Sequence, residues 1–211
     1  MSDPISEVLA EMASMWGPRP DGSVTANYAR NGAVKAADVR RALAAKYGDR
    51  RLRDEVLSFL DHMCNVFEKG EIGDRRQSFV CDCALGMITD DDGIEAPIAV
   101  VQRIVRVFLV PMWYFPVGNL IGRYLTLTQL LETLMAGIEN PTFPDELENC
   151  LTGFRLYLGK ARPDVDAHSR PLVPRYLERL RELERSDDAE IARLAHDAHR
   201  ALESHAGSGL S

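Results

Sequence analysis

One amphipathic pattern constrains the fold of this chain more than any other feature. Between residues 50 and 68, apolar side chains recur every three or four positions, at Leu52, Val56, Phe59, Leu60, Met63 and Phe67. That spacing places them along one side of an α-helix, whereas a half-buried strand would alternate apolar and polar residues. Aromatic residues make up only 7% of the chain, which also favours helices over strands. We therefore expect an all-α fold.

The rest of the chain shows similar but shorter helical patterns, separated by proline and glycine. They predict further helices near 4–16, 35–47, 74–88, 97–110, 118–138, 145–158, 172–185 and 187–205. These elements predict a single compact multi-helix domain of about eight or nine helices, orthogonal or bundle-like. We assign residues 1–23 to an N-terminal helix and linker, 24–205 to the helical domain and 206–211 to a frayed tail.

The sequence predicts a soluble, cytoplasmic protein. Its N-terminus lacks the basic and apolar regions of a signal peptide, and we expect its four cysteines to be reduced. The longest uncharged run, Val107 to Gly122, has 16 residues and contains Pro111 and Pro116. Since a membrane-spanning helix needs roughly 20 apolar residues, we expect no membrane span.

Charge is unevenly distributed along the chain. Between Arg30 and Arg53 there are eight basic and two acidic residues, a net charge of +6 in a chain whose total is −7. Such segregation indicates a surface for an acidic partner, phosphate or nucleic acid. We predict that this surface binds a partner through Arg40, Arg41, Arg50, Arg51 and Arg53. The two helices joined at Gly48 also allow a helix-turn-helix with arginines at the start of its second helix.

A run of bulky side chains lies between Pro111 and Pro116. Trp113 and Tyr114, with their neighbours Met112 and Phe115, form either a buried turn or an exposed aromatic knob. Because exposed aromatic residues are typical anchors at protein interfaces, we predict Trp113 and Tyr114 as further partner-binding residues.

Two groups of residues have the chemistry of metal ligands. His62 and Cys64 are followed by Cys81 and Cys83, and each pair has one intervening residue. In a helix, residues two apart point in nearly opposite directions, so neither pair suits one zinc ion. Buried thiols explain these cysteines equally well.

Histidines and aspartates provide the other candidates. His196 and His199 share a helical face, but the sequence identifies no third ligand from another element. The acidic turn at residues 90–92 offers oxygen ligands for Mg²⁺ or Ca²⁺, although aspartates also suit a turn before a helix. We predict no metal site from either pattern.

The sequence contains no phosphate loop, dinucleotide fingerprint, nucleophile elbow or zinc-protease motif. We therefore predict a non-enzymatic protein-protein interaction protein, of the immunity, inhibitor or regulatory adaptor type, that binds through a charged face. We expect a protein partner, no cofactor, and no small-molecule ligand that the sequence identifies. The alternatives are a nucleic-acid-binding regulator using Arg30–Arg53 and a helical metal-dependent enzyme.

Overall fold

A computed structural model describes residues 6–16, 35–71, 75–90, 92–108, 114–164 and 171–208. For residues 75, 76, 79, 114, 115, 207 and 208 it describes the backbone alone. The predicted linker within 17–23 lies outside these ranges, as do Asp3 and Pro4, at which the sequence starts the first helix.

The all-α class is confirmed, with ten α-helices and no β-strand in the described ranges. The sequence predicts eight or nine helices, one or two fewer than the structure contains. The helices are α1 (Glu7–Trp16), α2 (Ala36–Tyr47), α3 (Asp49–Glu68), α4 (Arg75–Thr89), α5 (Ile98–Val107), α6 (Tyr114–Tyr124), α7 (Leu127–Glu139), α8 (Glu146–Tyr157), α9 (Leu172–Leu183) and α10 (Ala189–Ser208). A single 3₁₀ turn follows α8 at Leu158–Lys160.

The chain divides into two compact units, Met1–Pro97 and Ile98–Ser211. These units do not coincide with the predicted segments 1–23, 24–205 and 206–211, which stay predictions. Helix α10 continues to Ser208, three residues into the segment predicted as a tail, and residues 209–211 lie outside the described ranges.

In the first unit, each of the four helices α1 to α4 packs against the other three. The core is apolar because each helix turns one stripe inward, as α1 does with Val8, Met12 and Trp16. The stripe of α3 is buried at Leu52, Val56, Phe59, Leu60 and Met63, as the sequence predicts. Burial of such side chains contributes roughly 1.5–3 kcal/mol each relative to exposure.

A hydrogen bond between α1 and α4 lies at the edge of this core. The indole Nε1 of Trp16 donates to Asp82 Oδ2 at 3.0 Å. Burial raises the pKa of Asp82 above its ordinary value, and the hydrogen bond from Trp16 partly opposes that rise. The hydrogen bond therefore offsets part of the cost of holding this carboxylate in a partly desolvated position.

In the second unit, α8 lies at the centre of the packing. It contacts α5, α7 and α10, while α9 packs along α10. The core contains fully buried large side chains such as Phe154 and Tyr157 of α8 and Leu180 of α9. Amphipathicity again explains the arrangement, since α9 is charged outside and apolar at Tyr176 and Leu180.

The prediction of one helix over 118–138 is wrong, because the chain forms two helices there. Thr126 caps α7: its side-chain oxygen accepts from the Gln129 amide at 3.3 Å, and Gln129 Oε1 accepts from the Thr126 amide at 3.0 Å. This reciprocal capping box satisfies two amide groups at the helix start. At the break between the two helices, the Arg162 amide also donates to Leu125 O at 2.9 Å.

No helix in the described ranges is long and apolar enough to cross a membrane.

Close packing of α2 on α4 gives a prediction for Gly86. A Cβ atom placed there would lie 2.7 Å from Ala36 Cβ, whereas a Cβ at Gly159 would meet nothing within 4 Å. We expect Gly86→Ala to lower the free energy of unfolding by roughly 1–3 kcal/mol through overpacking. Gly159→Ala is the matched control and should change it little. Urea denaturation measures both, and equal effects of the two variants would contradict this packing.

The buried Asp82 gives a prediction about pH. An acid whose pKa is higher in the folded state binds more protons there, so stability falls as pH rises from about 4 towards neutrality. We expect Asp82→Asn, which still accepts from Trp16, to unfold with an equal or higher free energy at neutral pH and to lose this part of the pH dependence. Urea denaturation across that pH range measures the effect. A less stable variant with an unchanged pH profile would contradict the expectation.

Candidate interaction surface

Gly48 alone joins α2 to α3. Its φ of +87° lies in the left-handed region, where glycine meets no steric penalty. Its amide donates to Ala44 O at 2.8 Å and closes α2, while its carbonyl accepts from the Leu52 amide at 3.1 Å and opens α3. The residues on either side of Gly48 are therefore brought into one surface.

An open depression of about 550 Å³ lies at this junction. Its walls are the end of α2 and the outward side of the first three turns of α3. The lining residues are Tyr47, Gly48, Arg50, Arg51, Asp54, Glu55 and Ser58. We call these seven residues the junction surface. Two of the five arginines predicted from the sequence, Arg50 and Arg51, therefore lie on it.

The side chain of Tyr47 is held in place by contacts at its hydroxyl group and over its ring. The Tyr47 hydroxyl donates to Glu11 Oε2 at 2.6 Å, and Lys46 Nζ donates to the same oxygen at 2.5 Å. These hydrogen bonds lower the pKa of Glu11 and raise that of Tyr47. The guanidinium of Arg51 lies over the Tyr47 ring, 5.1 Å from its centroid, which is a cation–π distance. Tyr47 is thus a positioned side chain of the junction surface.

Arg50 and Arg51 each lie one turn before a carboxylate. Arg50 Nε is 3.9 Å from Asp54 Oδ2, and Arg51 Nε is 3.8 Å from Glu55 Oε1. Both distances exceed the reach of a hydrogen bond, so these ion pairs are loose. The side chain of Arg50 is 96% exposed. Positive charge therefore lies at the Gly48 end of the junction surface, and negative charge lies one turn further along α3.

The other three predicted arginines lie beside the junction surface. Arg40 is only 20% exposed and lies 3.9 Å from Asp49, and Arg41 pairs with Asp38. Arg53 Nε donates to the backbone oxygen of Glu95 at 3.3 Å. Arg41 and Arg53 are exposed at the surface, whereas Arg40 offers little area to a partner.

The start of α3 is electrostatically unfavourable. Its cap, Gly48, has no side-chain oxygen to accept from the first amide groups, and Arg50 and Arg51 place positive charge where the helix dipole is already positive. Only Asp49 in the first turn has the favourable sign. The arrangement costs stability locally and creates positive potential at one end of the junction surface.

The aromatic residues predicted as anchors are not described. Trp113 lies outside the described residues, and Tyr114 is described only as the first backbone position of α6. Their part in binding stays a prediction. Among the residues with described side chains, Ile98 is the one large apolar residue in the exposed class.

The structure contains a buried ion pair that the sequence analysis missed. Glu146, at the start of α8, is fully buried, and its Oε1 lies 2.8 Å from Arg106 Nη1 of α5. Its Oε2 accepts from the Thr142 amide and hydroxyl at 2.5 and 2.8 Å. Burial, followed by the nearby Glu146 charge, raises the pKa of Cys150 to about 12. The sequence around Glu146 gives no sign that this carboxylate is buried.

The four cysteines are all described; they are buried and form no disulfide bond. Burial raises the pKa of both Cys81 and Cys83 well above the ordinary value, which opposes the thiolate form that binds zinc. In the part of the chain that the structure describes, no group of three or more metal-ligating side chains is arranged around a common point. The acidic turn is described at Asp90 and Asp92 but not at Asp91.

His196 and His199 meet a carboxylate from the neighbouring element. Glu184, the residue after α9, places its Oε1 2.9 Å from His199 Nδ1 and 3.3 Å from His196 Nδ1. Glu203 Oε1 lies 3.4 Å from His199 Nε2, so the largely buried imidazole is flanked by carboxylates on both sides. This cluster connects α10 to the end of α9.

Comparisons of the chain with protein families, with curated proteins and with solved structures gave no significant match.

Arginines of the junction surface and the buried Arg106 should differ sharply in their effect on stability. We expect Arg50→Ala and Arg51→Ala to change the free energy of unfolding by less than about 1 kcal/mol, because their ion pairs are exposed and loose. Arg106→Ala should lower it by roughly 3–5 kcal/mol, because it leaves the Glu146 carboxylate buried without its partner. Thermal and urea denaturation measure the three variants. A large loss in Arg50→Ala or Arg51→Ala would show that these arginines stabilise the fold.

Proposed function

We propose that this chain is a non-enzymatic interaction protein whose junction surface binds a protein partner. The observation that carries the proposal is a pair of exposed arginines followed one turn later by two carboxylates at the start of α3, next to a positioned tyrosine. Arginine and tyrosine are enriched at protein interfaces. An immunity protein, an inhibitor and a regulatory adaptor each fit this description.

Loose ion pairs favour a role in binding. A guanidinium that already makes two short bonds to a carboxylate has few donors left, whereas Arg50 and Arg51 stand 3.9 and 3.8 Å from their neighbours. Their terminal nitrogens therefore have room to form charge-assisted hydrogen bonds with a partner carboxylate. In the same way, Asp54 and Glu55 are placed to accept from basic groups of the partner.

The presence of both charges on this surface also favours protein over nucleic acid as the partner. A nucleic-acid surface collects cations that neutralise successive phosphates. Over residues 35–55 there are seven cations but also four carboxylates, and two of these, Asp54 and Glu55, lie on the junction surface itself. In addition, the apolar side of α3 is buried in the first unit, so only its outward side is available for contact.

Affinity capture with a charge-reversed variant tests the proposal. Tagged wild-type protein and the variant Arg50→Glu/Arg51→Glu are each used to capture partners from native lysate, with and without nuclease. We expect the wild type to retain a stoichiometric protein after nuclease and at moderate salt, and the variant to lose it. The reversal places like charges opposite the partner, which costs several kcal/mol at an interface, and about 1.4 kcal/mol is already tenfold in affinity.

A matched control separates this surface from a general effect of charge. Arg155→Glu/Arg185→Glu makes the same change in net charge at two exposed arginines of the second unit. It should retain the partner. Capture that depends on nucleic acid would move the assignment to the nucleic-acid-binding class, and equal loss in both variants would remove the junction surface from the proposal.

A further inference from the structure

The charge pattern on the junction surface is complementary to itself when reversed. Along α3 the order is two arginines, Arg50 and Arg51, followed one turn later by two carboxylates, Asp54 and Glu55. A second α3 running antiparallel presents the carboxylates first and the arginines last. Such self-complementarity is what a two-fold symmetric interface requires, since both sides of it are the same surface.

Helix geometry places these four residues suitably for such an interface. With 3.6 residues per turn, positions 50, 51, 54, 55 and 58 lie within one side of α3, and Ser58 is near the middle of that side. Arg50 and Asp54 lie to one side of this midline, and Arg51 and Glu55 lie to the other. With a two-fold axis at the level of residues 52 and 53, residues on one side of the midline face residues of the second copy on that same side.

Across that axis, Arg50 faces Asp54 of the second copy, and Arg51 faces Glu55 of the second copy. Both contacts occur twice, which gives four intermolecular ion pairs from four side chains of each copy. The small Ser58 and the aliphatic stems of the arginines leave room for the helices to approach. The loose intramolecular pairs, at 3.9 and 3.8 Å, are replaced without breaking a short hydrogen bond.

This arrangement also stabilises the start of α3 electrostatically. Its first amide groups have no side-chain cap, and its first turn carries Arg50 and Arg51 against the helix dipole. Carboxylates of the second copy come to lie beside this positive end, where negative charge is favourable. The second copy thus supplies the charge that the single chain lacks at this position.

We infer that a second copy of this chain occupies the junction surface in an antiparallel, two-fold symmetric dimer of α3 helices. The inference rests on the proposed function, since it names an occupant of the same surface. A heterologous partner that binds there then competes with self-association.

Charge-swapped variants test this inference by sedimentation equilibrium of the full chain, from about 1 to 200 µM at low and high salt. We expect the wild type to approach twice its 23.5 kDa mass and to dissociate as salt is raised. Arg50→Glu/Arg51→Glu makes the junction surface wholly negative, and Asp54→Arg/Glu55→Arg makes it wholly positive. Each should weaken self-association at least about tenfold.

Two complementary measurements keep the test independent of folding defects. The quadruple variant, with all four charges exchanged, restores the reversed pattern and should dimerise again. An equimolar mixture of the two double variants should form a heterodimer, because a wholly negative surface meets a wholly positive one. Circular dichroism and thermal denaturation confirm that each variant folds.

The outcomes distinguish this inference from the proposed function. A wild type that stays monomeric at every concentration in low salt overturns the dimer, as does a dimer that is unaffected by both double variants. In either case, a lysate protein that is lost with Arg50→Glu/Arg51→Glu but retained by the control still supports the proposed function. A dimer that follows the charge swaps supports the inference even if capture recovers no other protein.

Discussion

Burial of the apolar stripe of α3 is the constraint on which the first unit depends. Leu52, Val56 and Met63 are removed from water against three other helices, and this fixes the rotation of α3 about its own axis. Once that rotation is fixed, the side opposite the stripe must face outward. The exposure of Arg50, Arg51 and Asp54, and the partial exposure of Glu55, are therefore a result of core packing as much as of their own polarity.

The sequence predicts strongly periodic elements well and long-range contacts poorly. The stripe of α3 placed its helix at 50–68, and the structure has Asp49–Glu68. The break before α7 was missed because Leu130, Leu131 and Leu134 continue the apolar pattern across it. The signal was present in the capping pair Thr126 and Gln129, whose spacing of three is typical of a helix start.

The candidate surface was predictable only in part. Clustering of basic residues pointed to the segment that contains Arg50 and Arg51. Asp54 and Glu55 lie just beyond the end of that segment. With these two carboxylates included, the surface carries both charges and is no longer a purely basic patch. The position of Tyr47 has no signal in the sequence, because its hydrogen bond to Glu11 depends on how α1 packs against α2.

The one-residue connection at Gly48 determines which residues of α3 the first unit exposes. Since one residue separates α2 from α3, the connection has no slack to absorb an insertion or deletion. One residue added near the start of α3 would turn everything before it by about 100° relative to the stripe, or shift the stripe itself out of register with the core. The length of this connection therefore sets how the residues of α3 divide between its buried and exposed sides. Only with this length do the charged residues between Arg50 and Glu55 face outward while the apolar stripe is buried.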